Sequence, residues 1–432
     1  MSGPRGMATA WVRASRASVN RGTRLYGTFP ARSVPTNRIH ARTRTRKLQV
    51  TTVTSEAAFT ALEERWSEVA RLAAPSSLFH RHEWYAAAWA WRRLDSALSV
   101  LIAEREGRIA GVLPLIRSSD GRVPGRELEL LTVPDTQLSD LIVAPPDAEP
   151  VAEAFAQELA HLRDWDALRL DYLPAHGAGM RCLVPALSRR GLRVGDHDRG
   201  GNPYVALEGG WDGYYNSRSR SLKKAVNLAA NRLQKAGEVR IEWLTSENCD
   251  TSRFESGLDA AIDISRRSWK RDTGNSLDRP GPQAFIRALS QAAYRCGWAS
   301  IWLVHVNGQP LAMEYELIHD GDVHALRADF DADCTDISPG SHLFRHLLER
   351  MFGRGWHRYY LGPGDNPYKR RWTVEEEPLK CTIVYNRTWR GSLAWLRDEW
   401  AKPRARAVRD RLRSLRGADL GRSPLPPDDH SA

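Results

Sequence analysis

The chain reads as α/β of the α+β type: two similar units, each a mixed, mostly antiparallel sheet flanked by helices. Three observations predict this. Strand–turn–strand patterns occur twice, in "LSVLIAEREGRIAGVLPLIRS" (98–118) and "WASIWLVHVNGQPLAMEYELIHDG" (298–321), turning at Glu106-Gly107 and Asn307-Gly308. Each is followed by a helical stretch and a short apolar strand, so that "RDWDALRLDYLP" aligns with "RGWHRYYLGPGD". Matching Gly107 to Gly308 and Trp165 to Trp356 gives offsets of 201 and 191 residues, a weak internal duplication. At 432 residues the chain also exceeds one typical core.

Taken in order, Phe59, Leu62, Trp66 and Val69 recur at helical spacing, and "SSLFHRHEWYAAAWAW" (76–91) reads as an N-capped helix. After the first hairpin come strands near 127–133 and 138–143, a helix over 148–163 and a buried strand, "DALRLDYLP" (166–174). "WDGYYNSRSRSLKKAVNLAANRLQKAG" (211–237) is a basic helical arm with Leu222, Val226, Ala229 and Leu233 on its apolar face. After the second hairpin, "DVHALRADF" (322–330) is a strand and "SPGSHLFRHLLERMFGRGW" (338–356) a helix. "HRYYLGPG" (357–364) is a strand entering a loop. The organisation expected is a tail over 1–47, units over 48–200 and 201–395, and a charged C-terminal tail over 396–432.

The formal charge of +11 sits in the tail: residues 1–47 hold ten Arg and Lys47, the first acid is Glu56, and these eleven cations account for the whole excess of 63 bases over 52 acids. A nucleic-acid-binding body carries its charge on the folded part, so nucleic acid is not an expected partner. The tail composition predicts disorder. It is either transit-peptide-like or an extension upstream of a start at Met7, the second being favoured. No apolar run of 18 or more residues occurs, so no membrane span is expected. Five dispersed cysteines, odd in number, fit a reducing cytoplasm better than disulfides or a metal site.

Ser338-Pro339-Gly340-Ser341 stands between a strand and a strong helix. Amide groups at a helix N-terminus attract anions, and glycine permits close approach; an ordinary capped helix start is the plainer reading. His342, His346 and Glu349 have metal-like spacing but no further partners, and "DFDADCTD" (329–336) lacks the glycine and glutamate of a calcium loop, so no metal is expected. Glu314 and Glu316 share one strand face, either as an exposed face or as a buried general base. Arg218, Arg220, Lys223 and Lys224 on the arm are either a solvated face or a wall for a phosphate-bearing substrate. P-loop, nucleophile-elbow and dinucleotide motifs are absent.

"ALRADFDADCTDISPGSHLFRHLLERMFGRGWHRYYLGPGDNPYKRRW" resembles the C-terminal signature of the CelD/BcsL-type acetyltransferases, a branch of the GNAT superfamily. The matching positions are Phe330, Ser338, Pro339, Gly340, Gly355, Gly364, Tyr368, Lys369 and Trp372, and the resemblance spans roughly 55–385. Tyr360 stands where this family often has Asp, and the usual pyrophosphate motif is reduced to the Ser338–Ser341 turn. The family is similar to FemAB-type transferases, which pair two GNAT-like units.

The resemblance implies acyl transfer from acetyl-CoA or another acyl-CoA, as co-substrate, to an amine. The acceptor is a small molecule, such as a sugar nucleotide, in envelope or exopolysaccharide synthesis. Ser338, Gly340 and Ser341 would hold the cofactor. Glu314 or Glu316 would take the amine proton and Tyr368 would serve the leaving thiolate, while Asp365, Lys369, Arg370 and Lys223 would bind the acceptor. A plainer role for Tyr368 and Trp372 is to pin their loop. An aminoacyl-tRNA-dependent transferase and a non-catalytic GNAT-like binding protein are the rival classes.

Overall fold

The computed structural model describes residues 47–118 and 126–404. The basic tail over 1–46 and the later part of the C-terminal tail lie outside the described residues. In chain order the strands are β1 (Gln49–Val53), β2 (Ser96–Leu98), β3 (Val100–Arg105), β4 (Arg108–Leu113), β5 (Leu115–Ser118), β6 (Glu127–Leu130), β7 (Ile142–Val143), β8 (Ala167–Pro174), β9 (Arg193–Ala206), β10 (Val239–Thr245), β11 (Ala299–Val306), β12 (Gln309–His319), β13 (Asp322–Phe330), β14 (Arg358–Tyr360) and β15 (Glu376–Tyr385). A four-stranded sheet runs β1-β3-β4-β7. An eleven-stranded sheet runs β10-β11-β12-β13-β14-β9-β15-β8-β6-β5-β2. Pairing is antiparallel except at β13/β14 and β6/β8, which gives the expected mixed, mostly antiparallel character.

Strand β11 shows why the second unit is layered. Its sequence "ASIWLVHV" is buried throughout, because helices cover both faces. Ala299, Ile301 and Leu303 join Phe254, Leu258 and Phe285 of the helices Thr251–Arg267 and Pro280–Arg295. Trp302 and Val304 face the other way, onto Leu343 and Leu347 of the helix Pro339–Met351 and Leu222 and Val226 of the helix Arg220–Ala236. A period of two on the strand meets two apolar helix stripes. In the first unit the helix Ala148–His161 buries Val151, Phe155 and Leu159 against Leu101, Leu113 and Leu168.

Three expected elements come out shorter. The arm breaks into Trp211–Ser217 and Arg220–Ala236, where the Ser219 side chain accepts from the Leu222 amide and starts a new helix. The strand expected at 357–364 keeps only Arg358–Tyr360. The strand near 138–143 keeps only Ile142–Val143, because the preceding residues form a buried polar loop. Asp135 pairs with Arg327 at 2.7 Å, Gln137 donates to the Ala325 carbonyl at 2.8 Å, and Asp140 accepts from the amides of Ala178 and Gly179.

Strand β9 runs unbroken past residue 200, where the sequence suggested a unit boundary. Its first part pairs with β15 and its last three residues with β14. Strand β15, from near the C-terminal end, lies between β9 and β8. The two halves therefore share one sheet.

Candidate active site

The site begins with a failure of pairing. β13 and β14 are parallel but pair over only three residues each, Asp322–His324 with Arg358–Tyr360. Beyond them β13 continues to Phe330, while the other chain turns off through Gly362 and Gly364, both at positive φ. Between the diverging segments lies a cavity of about 470 Å³. The register against β12 jumps from Glu316–Ala325 to Tyr315–Arg327, which leaves Leu326 as a bulge on the cavity wall.

Four elements close the cavity: Met313 and Glu314 of β12, Gly340, Ser341 and Phe344 of the helix after β13, Tyr368 and Lys369 of the short helix Pro367–Arg370 that ends the loop, and Trp269 and Lys270 after the helix Thr251–Arg267. Of the residues singled out in the sequence, the cavity brings together Glu314, Gly340, Ser341, Tyr368 and Lys369. Ser338 lies just outside it, at φ +52° and ψ +53°, turning the chain into Pro339 at the start of the helix. This left-handed conformation is uncommon for a residue with a side chain and clusters at functional sites. Gly340 has no positive φ, and a Cβ there would meet Phe330 Cδ1 at 3.4 Å, an ordinary contact. The protein itself does not require glycine at 340.

The other acceptor residues are engaged elsewhere. Arg370 bonds Asp365 at 2.8 Å and Glu376 at 2.6 Å on the surface. Lys223 donates to the Asn216 carbonyl at 2.9 Å. Lys369 Nζ donates to the carbonyls of Gly362 and Pro363 at 2.7 and 3.0 Å, so it fastens the loop while facing the cavity. Trp372 is fully buried against Phe344.

Glu314 and Glu316 point to the same side of β12 but are not on an exposed face; both are buried. Glu316 accepts from Ser300 Oγ at 3.0 Å, Trp302 Nε1 at 3.1 Å and the Tyr359 hydroxyl at 2.7 Å, and does not line the cavity. The same hydroxyl lies 3.4 Å from Glu314. Burial pushes the Glu314 carboxyl well above its usual range, the neighbouring Glu316 adds to this, and Lys270 opposes it. Burial raises Glu316 to about 7, against its hydrogen bonds. Burial raises the Tyr368 phenol as well, and lowers the Lys369 ammonium to about 8.

The sequence did not reveal Asp329, Lys270 or Tyr359. Asp329 is buried on the cavity wall, with Oδ1 2.7 Å from Lys270 Nζ and no partner on Oδ2 among the described residues. The neighbouring Asp331 pairs with Arg267 and caps the turn that follows, which accounts for the acidic run. Glu349 pairs with Arg345. Among the described residues no group of three His, Cys, Asp or Glu side chains is placed to hold a metal ion.

A strand pair splayed beside a helix N-terminus, over a buried carboxylate, is the arrangement that an acyl carrier and an amine could share. Residues 220–370 match a family model described as "Acetyltransferase (GNAT) domain". The chain is an acyltransferase by that domain. The cavity residues all fall within the acetyltransferase domain. The structure titled "Crystal structure of FemX" aligns over 81% of this chain and 100% of its own, at 12% identity and a TM-score of 0.53. The C-terminal domain (DUF2156) of a putative lysylphosphatidylglycerol synthetase from Agrobacterium fabrum aligns over 78% and 96%, at 13% identity and a TM-score of 0.48. At such identities the likeness to FemX speaks for the fold, which extends beyond the acetyltransferase domain into the first half of the chain. No curated protein matches the chain.

Proposed function

We propose that the protein transfers an acyl group from acyl-CoA, with acetyl-CoA the first candidate, to the amine of a small acceptor. The observation that carries this reading is the single cavity joining Glu314 to the Gly340–Ser341 turn and to Tyr368. The CoA pyrophosphate would lie on the amides of the turn, where a side chain at 340 would intrude. The thioester would extend between β13 and β14, its carbonyl oxygen received by backbone amides at the Leu326 bulge.

The acceptor ammonium must lose a proton before it attacks. Glu314 takes it, and its raised affinity for protons suits that task near neutral pH. The amine nitrogen then bonds to the carbonyl carbon, the C–S bond breaks, and the sulfur leaves as a thiolate. Tyr368 donates a hydrogen bond to that sulfur without giving up its proton, because a raised phenol is a weaker acid than a thiol. The nitrogen sheds its second proton as the amide forms, and that proton completes the CoA thiol, while the proton taken by Glu314 returns to water and frees the carboxylate for the next turnover. Asp329, with one unpartnered oxygen, would hold a cationic part of the acceptor. The resemblance to CelD/BcsL-type proteins supports a sugar-linked amine as that acceptor.

The fold likeness to FemX keeps an aminoacyl-tRNA donor as the second reading. Calorimetric titration with acetyl-CoA, longer acyl-CoAs and charged tRNA separates the two. Micromolar binding of an acyl-CoA, weakened at least tenfold in Gly340→Val, is expected. Binding of charged tRNA with none of any acyl-CoA overturns the proposal.

A further inference from the structure

We propose that the C-terminal helix docks the protein on an anionic lipid surface. The described chain ends in a helical segment that begins at Trp389 and runs on through the wider turn Leu396–Ala401. Its inner side is small and shared with the sheet: Gly391 and Ala394 are buried, Ala394 against Ala167, Cys381, Ile383 and Tyr385. Its outer side is apolar and open. Trp389, Leu393, Leu396 and Trp400, at spacings of four, three and four, are 70, 56, 46 and 55% exposed. Four large apolar side chains in one stripe are not the scattered exposure of an ordinary surface.

Charge selects the occupant. Residues 389–416 contain nine Arg or Lys and three acids. Two of those acids are occupied: Glu399 accepts from Tyr385 and His197 of the sheet, and Asp398 pairs with Arg397 and Lys402. Arg390 and Arg404 stack on Trp389 and Trp400, so each end of the stripe has a guanidinium over an indole. Tryptophan with arginine is the pairing suited to a headgroup layer, and an apolar stripe with a polybasic continuation supplies the two signals that stable attachment takes. No helix among the described residues is long and apolar enough to cross a membrane, so the segment would lie on the surface. Nucleic acid would meet the cations but leave the Trp–Leu–Leu–Trp stripe uncovered.

The test is flotation of the full chain with phosphatidylcholine vesicles, with or without 30% phosphatidylglycerol. Its comparison is a variant carrying Trp389→Ser, Leu393→Ser, Leu396→Ser and Trp400→Ser. That variant retains every cation of both tails, and its circular dichroism melt reports its fold. The proposal expects wild-type flotation on the anionic vesicles, at least tenfold weaker on neutral ones, and at least a tenfold loss in the folded variant. Should the variant misfold, wild-type protein in 0.5 M NaCl answers in its place: attachment that weakens but persists supports the stripe, and complete release overturns it. Equal flotation of the folded variant, equal attachment to neutral vesicles, or no attachment of wild type also overturns the proposal. A wild-type dimer that the variant loses, without lipid binding, would assign the stripe to a second copy instead.

Discussion

Glu314 and Glu316 meet at one hydroxyl, and their environments divide the labour. Glu316 is fully bonded away from the cavity and holds Tyr359; Glu314 has a cavity wall and a long contact to the same oxygen. Glu314→Gln should lower kcat/KM by roughly 10²–10⁴-fold without lowering the melting temperature, since its removal also abolishes a buried carboxyl whose proton affinity is raised. In the wild type the acid limb of the kcat/KM profile should lie above the ordinary carboxylate range. A limb at the ordinary range would remove Glu314 from the proton path. Glu316 gives a stability prediction instead. Its native proton affinity is raised, so native protein holds a proton that the unfolded chain releases. That stability is present below the ordinary glutamate range and is lost as pH rises towards about 7. In urea unfolding from pH 4.5 to 8, Glu316→Gln should flatten the curve, by an amount on the order of 3 kcal/mol across the range. The pairing of the two acids on one face was legible from strand alternation. Their burial was not, because the groups that cover them, Tyr359 and Trp302, come from other strands. Asp329 and Lys270, far apart in the chain, leave no pattern that a periodicity could detect.

Among the elements, the loop and the helix that face each other were legible to different degrees. Gly362, Pro363 and Gly364 signal a loop, although the strand expected from the sequence runs to 364 and the structure ends it at Tyr360. What the breakers do not disclose is that Lys369 reaches back to the carbonyls of Gly362 and Pro363, so that a cation expected on the acceptor also fastens its own turn. Lys369→Ala should expose those two carbonyls, lower the melting temperature by a few degrees, and speed amide exchange over 361–366. An unchanged melt and unchanged exchange would refute the fastening. The helix predicts the opposite combination. Gly340→Ala replaces a poor helix former without a steric clash inside the protein, so stability should hold or rise by up to about 1 kcal/mol while acyl-CoA affinity falls. A stable variant with undiminished affinity would exclude the turn from the donor site. The shortness of β14 escaped the sequence because the bonds that end it are made, or not made, by a distant strand.

For the molecule as a whole, the duplicated plan was legible in two hairpins and two tryptophan-led strands, while the sharing of one sheet was not. Local patterns report faces and periods; they carry no information about which strand a third of the chain away fills a gap. β9 and β8 hold β15 between them, and Asp135 of the first half is buried with Arg327 of the second, with little exposure on either side. Asp135→Ala leaves that guanidinium without its carboxylate and should cost about 3–5 kcal/mol in denaturant unfolding. A cost below 1 kcal/mol would mean that water already serves the pair.

The position of β15 also sets an order of events during synthesis. Some 170 residues separate the end of β9 at Ala206 from the start of β15 at Glu376. At the ribosome's pace of ~5–20 residues per second, two strand edges wait roughly 8–35 s for their neighbour. Through that interval the nascent first half offers hydrogen-bonding groups to any extended peptide nearby, so overproduction at a high translation load should yield aggregates nucleated by β8 and β9.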